Sequence, residues 1–133
     1  MQTLNVGSYA TKQPWTLPPS ASLVEARRIM RDHHVRELPV VAAGRLVGIV
    51  ALRDLRVLET VADVPLDAVT AEEAMLKTSY TVTTDARVDV VAEHMERHKL
   101  GVAIVVDRSG TVEGIFSIGN ACRAIADLVR RIL

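Results

Sequence analysis

One cysteine, Cys122, stands among the 133 residues. An internal disulfide is excluded, and with it the small secreted fold that relies on cross-links in place of a core. Aromatic residues are almost as scarce, at 3%. A core must then come from Val, Ile, Leu, Ala and Met, and a nucleic-acid surface built on base stacking has too few rings to work with. Net charge is also missing, since 16 Lys and Arg balance 16 Asp and Glu. Non-specific binding to nucleic acid or to a membrane surface usually needs a basic excess, so neither partner is expected. No apolar run approaches the roughly 20 residues of a membrane span; the longest covers 102–106. The opening MQTLNVGSYATKQ lacks an apolar signal region, and a cytoplasmic location is the expectation. Catalytic signatures are absent as well. There is no G-x-S-x-G, no glycine-rich phosphate loop, and no Cys set beside a His and an acid; Glu113 and Asp127 are isolated acids. An enzyme is not expected.

What is present is a 49% hydrophobic chain, enough to bury a core and too apolar for disorder. Its strongest feature is an internal repeat. At an offset of 65, Lys12 falls on Lys77, Thr16 on Thr81, Ala21 on Ala86, Met30 on Met95, and Val40 and Val41 on Val105 and Val106. One extra residue then shifts the register, and Gly44, Gly48 and Ile49 fall on Gly110, Gly114 and Ile115.

Each half carries one pattern. A short extended piece (15–17 or 80–82) leads into a helix. Ser22 and Glu25 offer an S-x-x-E capping box for the first of these helices. Leu23, Ala26 and Met30 share one helical face, as do Val88, Val91, Ala92 and Met95. Two strands follow, ELPVV with RLVGIV and VAIVV with VEGIF, their turns marked by Gly44 and Gly110. A second helix closes each half, starting near Ala51 and near Ser117. In the last helix Ile118, Cys122, Ile125, Val129 and Ile132 make an apolar stripe, which places Cys122 in a core or an interface. The 62–69 stretch, with Pro65, reads as a linker. The fold class is thus α/β (α+β), two βαββα repeats. Each has a three-stranded sheet with one open face, and the two are expected to pack sheet to sheet about a pseudo-twofold axis, forming two clefts.

The segments MRDHHVRELPVV and GRLVGIVALRDL over 30–55, with MERHKLGVAIVVD and GTVEGIFSIGNA over 95–121, resemble CBS motifs. The chain resembles a CBS pair, or Bateman module, with motifs at 1–61 and 70–133. The resemblance implies regulation through a bound adenosine nucleotide, AMP, ADP or ATP, and less often S-adenosylmethionine or NAD, with no required cofactor. It implies a homodimer and an effector on another, unknown protein. It also implies the site residues. A carboxylate holds the ribose hydroxyls, a hydroxyl and helix start three residues earlier meet phosphate, and a strand edge holds adenine. The first site would use Asp54, Ala51 and Arg53 with Thr81, Gly101, Val102 and Ala103. A second, weaker site would use Ser117 and Asn120 with Thr16, Arg36, Glu37, Leu38 and Pro39.

Both copies depart from the family's G-h-h-S/T-x-x-D. Ala51 replaces the hydroxyl residue in the first, Asn120 replaces the acid in the second, and Ile104 stands opposite Pro39. The same residues have a plainer reading. Ser117 with Asn120 at N3 can cap the last helix, and Asp54 suits the first turn of a helix through the dipole alone. His94 and His98 are four apart, as metal ligands can be, but no Cys or acidic cluster completes a set, so a solvated helix face or a dimer contact is expected. Two functions remain open: a stand-alone nucleotide sensor, and a ligand-free structural or dimerisation module with degenerate clefts.

Overall fold

Helical spacing of apolar residues and short β-branched runs set the elements. The computed structural model describes residues 4–133. In chain order they form α1 (Val6–Tyr9), β1 (Thr11–Lys12), α2 (Leu23–His33), β2 (Glu37–Ala42), β3 (Arg45–Ala51), α3 (Leu52–Thr60), a 3-10 turn (Leu66–Ala68), α4 (Ala71–Ala74), β4 (Thr81–Val82), α5 (Val88–His98), β5 (Val102–Val106), β6 (Val112–Ser117) and α6 (Ile118–Ile132). The mixed α/β class matches the reading of the pattern. These elements make two compact units, one of residues Trp15–Ser79 and one of residues 4–14 with Tyr80–Leu133. Compact units and sequence repeats are therefore out of phase, because the stretch ahead of each repeat packs on the other unit.

In the Trp15–Ser79 unit, the Ser22 hydroxyl accepts the Glu25 amide at 3.4 Å. The expected box is only half made, since the Glu25 carboxylate turns to Arg28 at 2.7 Å. The helix stops at His34, whose φ of 55° is left-handed. Leu23, Ala26 and Met30 are buried as their spacing predicts, against Leu38, Val40, Val50 and Leu55. β2 and β3 form an antiparallel hairpin with Glu37 opposite Ala51 and Pro39 opposite Ile49. The third strand is reduced to single bridges, Leu17 to Val40 and Leu76 to Ile49. The linker expected at 62–69 is partly structured, with Leu66 buried in this core. Just after it, Thr70 and Glu73 form a complete capping box.

The second unit carries a four-stranded sheet in the order β1-β6-β5-β4, one strand more than the repeat predicts. β5 is almost wholly buried, in keeping with its unbroken VAIVV. Phe116, the chain's one phenylalanine, is fully buried among Val88, Val91, Met95 and Ala124. Burial of a side chain this size contributes about 1.5–3 kcal/mol. The extra strand is β1, whose Lys12 lies opposite Gly114.

That crossing explains why the second glycine of each hairpin recurs. A Cβ on Gly114 would lie 2.8 Å from the Thr11 carbonyl oxygen, and one on Gly48 would lie 2.9 Å from the Leu76 carbonyl oxygen. In each unit a backbone strand passes directly over the glycine.

The apolar stripe of α6 does not face the core. Ile118, Ile125, Val129 and Ile132 are 44–64% exposed, and Cys122 is exposed too. The inward face is made instead of Asn120, Ala121 and Ala124, because small side chains let the helix lie close to the sheet. Among the described residues no helix is long and apolar enough to cross a membrane.

Gly114→Val should destabilise the protein by about 1–3 kcal/mol through overpacking against the crossing strand. Gly119→Ala, whose new Cβ meets nothing closer than 3.6 Å, should be neutral or stabilising. Urea midpoints check both, and equal shifts would contradict the close-approach account.

Candidate functional site

Some members of the two predicted sets meet where a strand turns into the closing helix of a unit, each corner mixing residues of both sets. In the Trp15–Ser79 unit the Leu52 amide donates to the Arg36 carbonyl at 2.8 Å. This bond ties the start of α3 to the start of β2 and sets Arg36, Glu37, Ala51, Arg53 and Asp54 around one corner. In the second unit the Ile118 amide donates to the Gly101 carbonyl at 3.3 Å, which gathers Gly101, Val102, Ser117 and Asn120 in the same way. Thr16 and Thr81 are exposed on the leading extended pieces. Leu38 and Ala103 belong to the two cores, so they can offer a ligand only backbone groups. Ile104 N–H donates to the Tyr80 carbonyl at 2.9 Å; Pro39, at the matching position, has no N–H to give.

The two corners differ in how the helix begins. Ser117 and Asn120 form a full capping box. The Ser117 hydroxyl accepts the Asn120 amide at 3.2 Å, and Asn120 Oδ1 accepts the Ser117 amide at 2.8 Å and its hydroxyl at 3.0 Å. Asn120 is buried, and its carbonyl oxygen is committed to the cap. At α3 the N-cap is Ala51, and no side chain caps the helix. The amides of the first turn have no partner within a helix by geometry, so the Arg53 and Asp54 amides lack a side-chain acceptor. The Asp54 carboxylate is half-buried, and it enters no hydrogen bond or ion pair among the described residues. Glu37 begins β2 and lies opposite Ala51. Burial pushes the Glu37 carboxyl above its ordinary range, opposed in part by the Arg36 and Arg53 guanidiniums.

Two aromatic stacks went unread in the sequence. Trp15 lies on His33 with centroids 3.7 Å apart, and Tyr80, its repeat mate, lies on His94 at 4.0 Å. His98 lies tilted against His94 at 4.3 Å. The correspondence of Trp15 with Tyr80, and of His33 with His98, at the repeat offset was the available signal. Among the described residues no group of three or more His, Cys, Asp or Glu could hold a metal. His94 is stacked on Tyr80, and His98 packs against His94.

The CBS domain family matches residues 6–58 and 71–127. An inosine-5'-monophosphate dehydrogenase from Korarchaeum cryptofilum is 32% identical over 108 residues, which are 81% of this chain and 21% of the enzyme. The chain thus spans about a fifth of that relative. Among solved structures, the CBS domain pair of protein MJ0100, in complex with 5'-methylthioadenosine and S-adenosyl-L-methionine, is 28% identical with a TM-score of 0.85, covering 95% of this chain and 98% of that one. CBSX2 in complex with AMP is 24% identical with a TM-score of 0.85, covering 93% and 97%; CBSX2 is a protein of Arabidopsis thaliana. This last likeness shows the fold.

The raised Glu37 carboxyl has a consequence for stability. A carboxyl whose folded pKa lies above its unfolded value is protonated more readily in the native state, so stability falls as pH rises from the ordinary range through the folded value. Glu37→Gln should therefore raise the melting temperature at neutral pH, and the gain should vanish below the ordinary carboxylate range. Melting curves of both proteins across pH check this, and a pH-independent difference would contradict it.

Proposed function

Because the chain belongs to the CBS domain family and carries that domain twice, we propose that it is a regulatory module that holds an adenosine-type ligand and signals its occupancy to a separate effector protein. The observation that carries the reading is the α3 corner. A half-buried carboxylate without a partner among the described residues stands in the first turn of a helix that no side chain caps. A ribose diol is two hydroxyl donors, and an ionised carboxylate accepts both through charge-assisted bonds. The uncapped amides suit an anion, as helix starts do. The complex of the 28% identical MJ0100 pair with two adenosine-containing ligands supports the same ligand chemistry.

AMP, ADP and ATP lead this proposal, with S-adenosylmethionine and NAD behind them. Asp54 takes the ribose, with Ala51 and Arg53 at the phosphate end, and Thr81, Gly101, Val102 and Ala103 serve the adenine. Ala51 brings no hydroxyl to phosphate, so AMP should bind no worse than ATP. The second set, Ser117 and Asn120 with Thr16, Arg36, Glu37, Leu38 and Pro39, is the weaker. A ligand there must break the Ser117–Asn120 cap, which favours a structural role for that corner.

Association with a second copy is part of the proposal. The stripe of Ile118, Ile125, Val129 and Ile132 is exposed on one helix, and homo-oligomers close such faces about twofold axes.

Calorimetry should find an adenine nucleotide that binds the wild type. Loss of one charged hydrogen-bonding group is worth about 1.5–3 kcal/mol, so Asp54→Ala should weaken binding roughly 10- to 150-fold, while Asn120→Ala should not. Equal affinity in wild type and Asp54→Ala would remove Asp54 from the site. No heat and no thermal shift with AMP, ADP, ATP, S-adenosylmethionine or NAD would leave the ligand-free structural module. Light scattering at micromolar concentration should report twice the chain mass, falling to the single mass in Ile125→Asp; a wild type of single mass throughout would contradict the dimer.

A further inference from the structure

Residues 4–13 lead directly into the Trp15–Ser79 unit, yet apart from the bonds within their own short helix they are bonded to the Tyr80–Leu133 stretch. The Val6 amide donates to the Ala86 carbonyl and the Gly7 amide to the Thr84 carbonyl, both at 2.8 Å, and the Leu4 carbonyl accepts the Val88 amide at 3.0 Å. Thr11 and Lys12 then pair with Ile115 and Gly114. Between these backbone contacts Tyr9 is buried. Its hydroxyl donates to Asp127 at 3.1 Å, and Arg123 donates to its carbonyl at 2.9 Å.

The seat is shaped for this segment. A Cβ on Gly7 would lie 2.8 Å from Thr84, and Val6 is fully buried in the core cluster. An empty seat would expose that cavity and the β6 edge, and few sequences could refill it. At the exit, Gln13 has a φ of 50°, a left-handed conformation that costs a non-glycine residue about 1–2 kcal/mol. Pro14, with its φ fixed, follows directly. A left-handed residue thus stands at the point where the arm would swing, as others stand at His34, Ala43, Asp63 and Lys99 elsewhere in the chain.

We propose that residues 4–12 are an exchangeable arm and that the seat on the unit of Tyr80–Leu133 accepts this segment from a second copy of the chain. Every contact named above is reproduced in the exchanged form, because arm and seat are the same in both copies, while the strain at Gln13 is released. This is the topology in which identical elements swap at low cost. The chain's own arm competes with an effective concentration on the order of millimolar, so the exchanged form grows with protein concentration. It is independent of any ligand and of the α6 stripe.

Disulfide trapping tests it in a full-length Cys122→Ser background. Thr11 lies opposite Ile115, and directly opposed strand residues fall within disulfide reach. Thr11→Cys and Ile115→Cys are placed in one chain, and separately in two chains of different mass that are mixed and oxidised. Closure of the double variant on itself calibrates the geometry. The proposal expects a mixed disulfide between the Thr11→Cys and Ile115→Cys chains, rising with concentration and dominating over like-with-like dimers. No mixed disulfide where the double variant closes, or mixed and like-with-like dimers in equal amounts, would overturn it. Association through α6 alone leaves each arm in its own seat, so it cannot produce the expected result.

Discussion

The hydrogen bond from the Leu52 amide to the Arg36 carbonyl, and its counterpart from Ile118 to Gly101, fix where each closing helix starts relative to the first strand of its hairpin. A helix start leaves several amides unpaired, and the residue at the N-cap decides their fate. In one unit a hydroxyl and an amide oxygen satisfy them from within. In the other a methyl group stands at the N-cap, and the carboxylate of Asp54 and its neighbouring amides are left to outside partners. One repeat sequence thus yields one corner that closes on itself and one that stays open.

The corners keep this geometry because a second strand lies over each hairpin. Thr11 passes over Gly114 and Leu76 over Gly48, at distances no side chain would allow. Each such strand belongs in sequence to the stretch ahead of the opposite repeat. The units are therefore laced through the chain, and each one's sheet is completed by residues distant from it in sequence.

Much of this was legible beforehand. The offset of 65 placed both helix–hairpin–helix patterns, and Leu23, Ala26 and Met30 are buried as their spacing required. The corner residues were legible, and the cap of Ser117 with Asn120 was one of two open readings. The crossings were not, because a repeat reveals which residues correspond and says nothing about which unit a short segment packs on. The α6 stripe misled for a related reason. Amphipathicity identifies an apolar face, but the core took the alanine face, Ala121 and Ala124, which scores as weakly apolar and packs more closely. The Trp15–His33 and Tyr80–His94 stacks needed tertiary geometry to become visible.

The central claim is that the α3 corner is open and the α6 corner is closed. Amide hydrogen exchange measured with and without AMP or 5'-methylthioadenosine reads it residue by residue. The amides of Arg53 and Asp54 should exchange quickly in the free protein and become protected on addition of ligand, while the Asn120 amide is protected throughout. Protection that appears at Asn120 while Arg53 and Asp54 are unchanged would contradict the account.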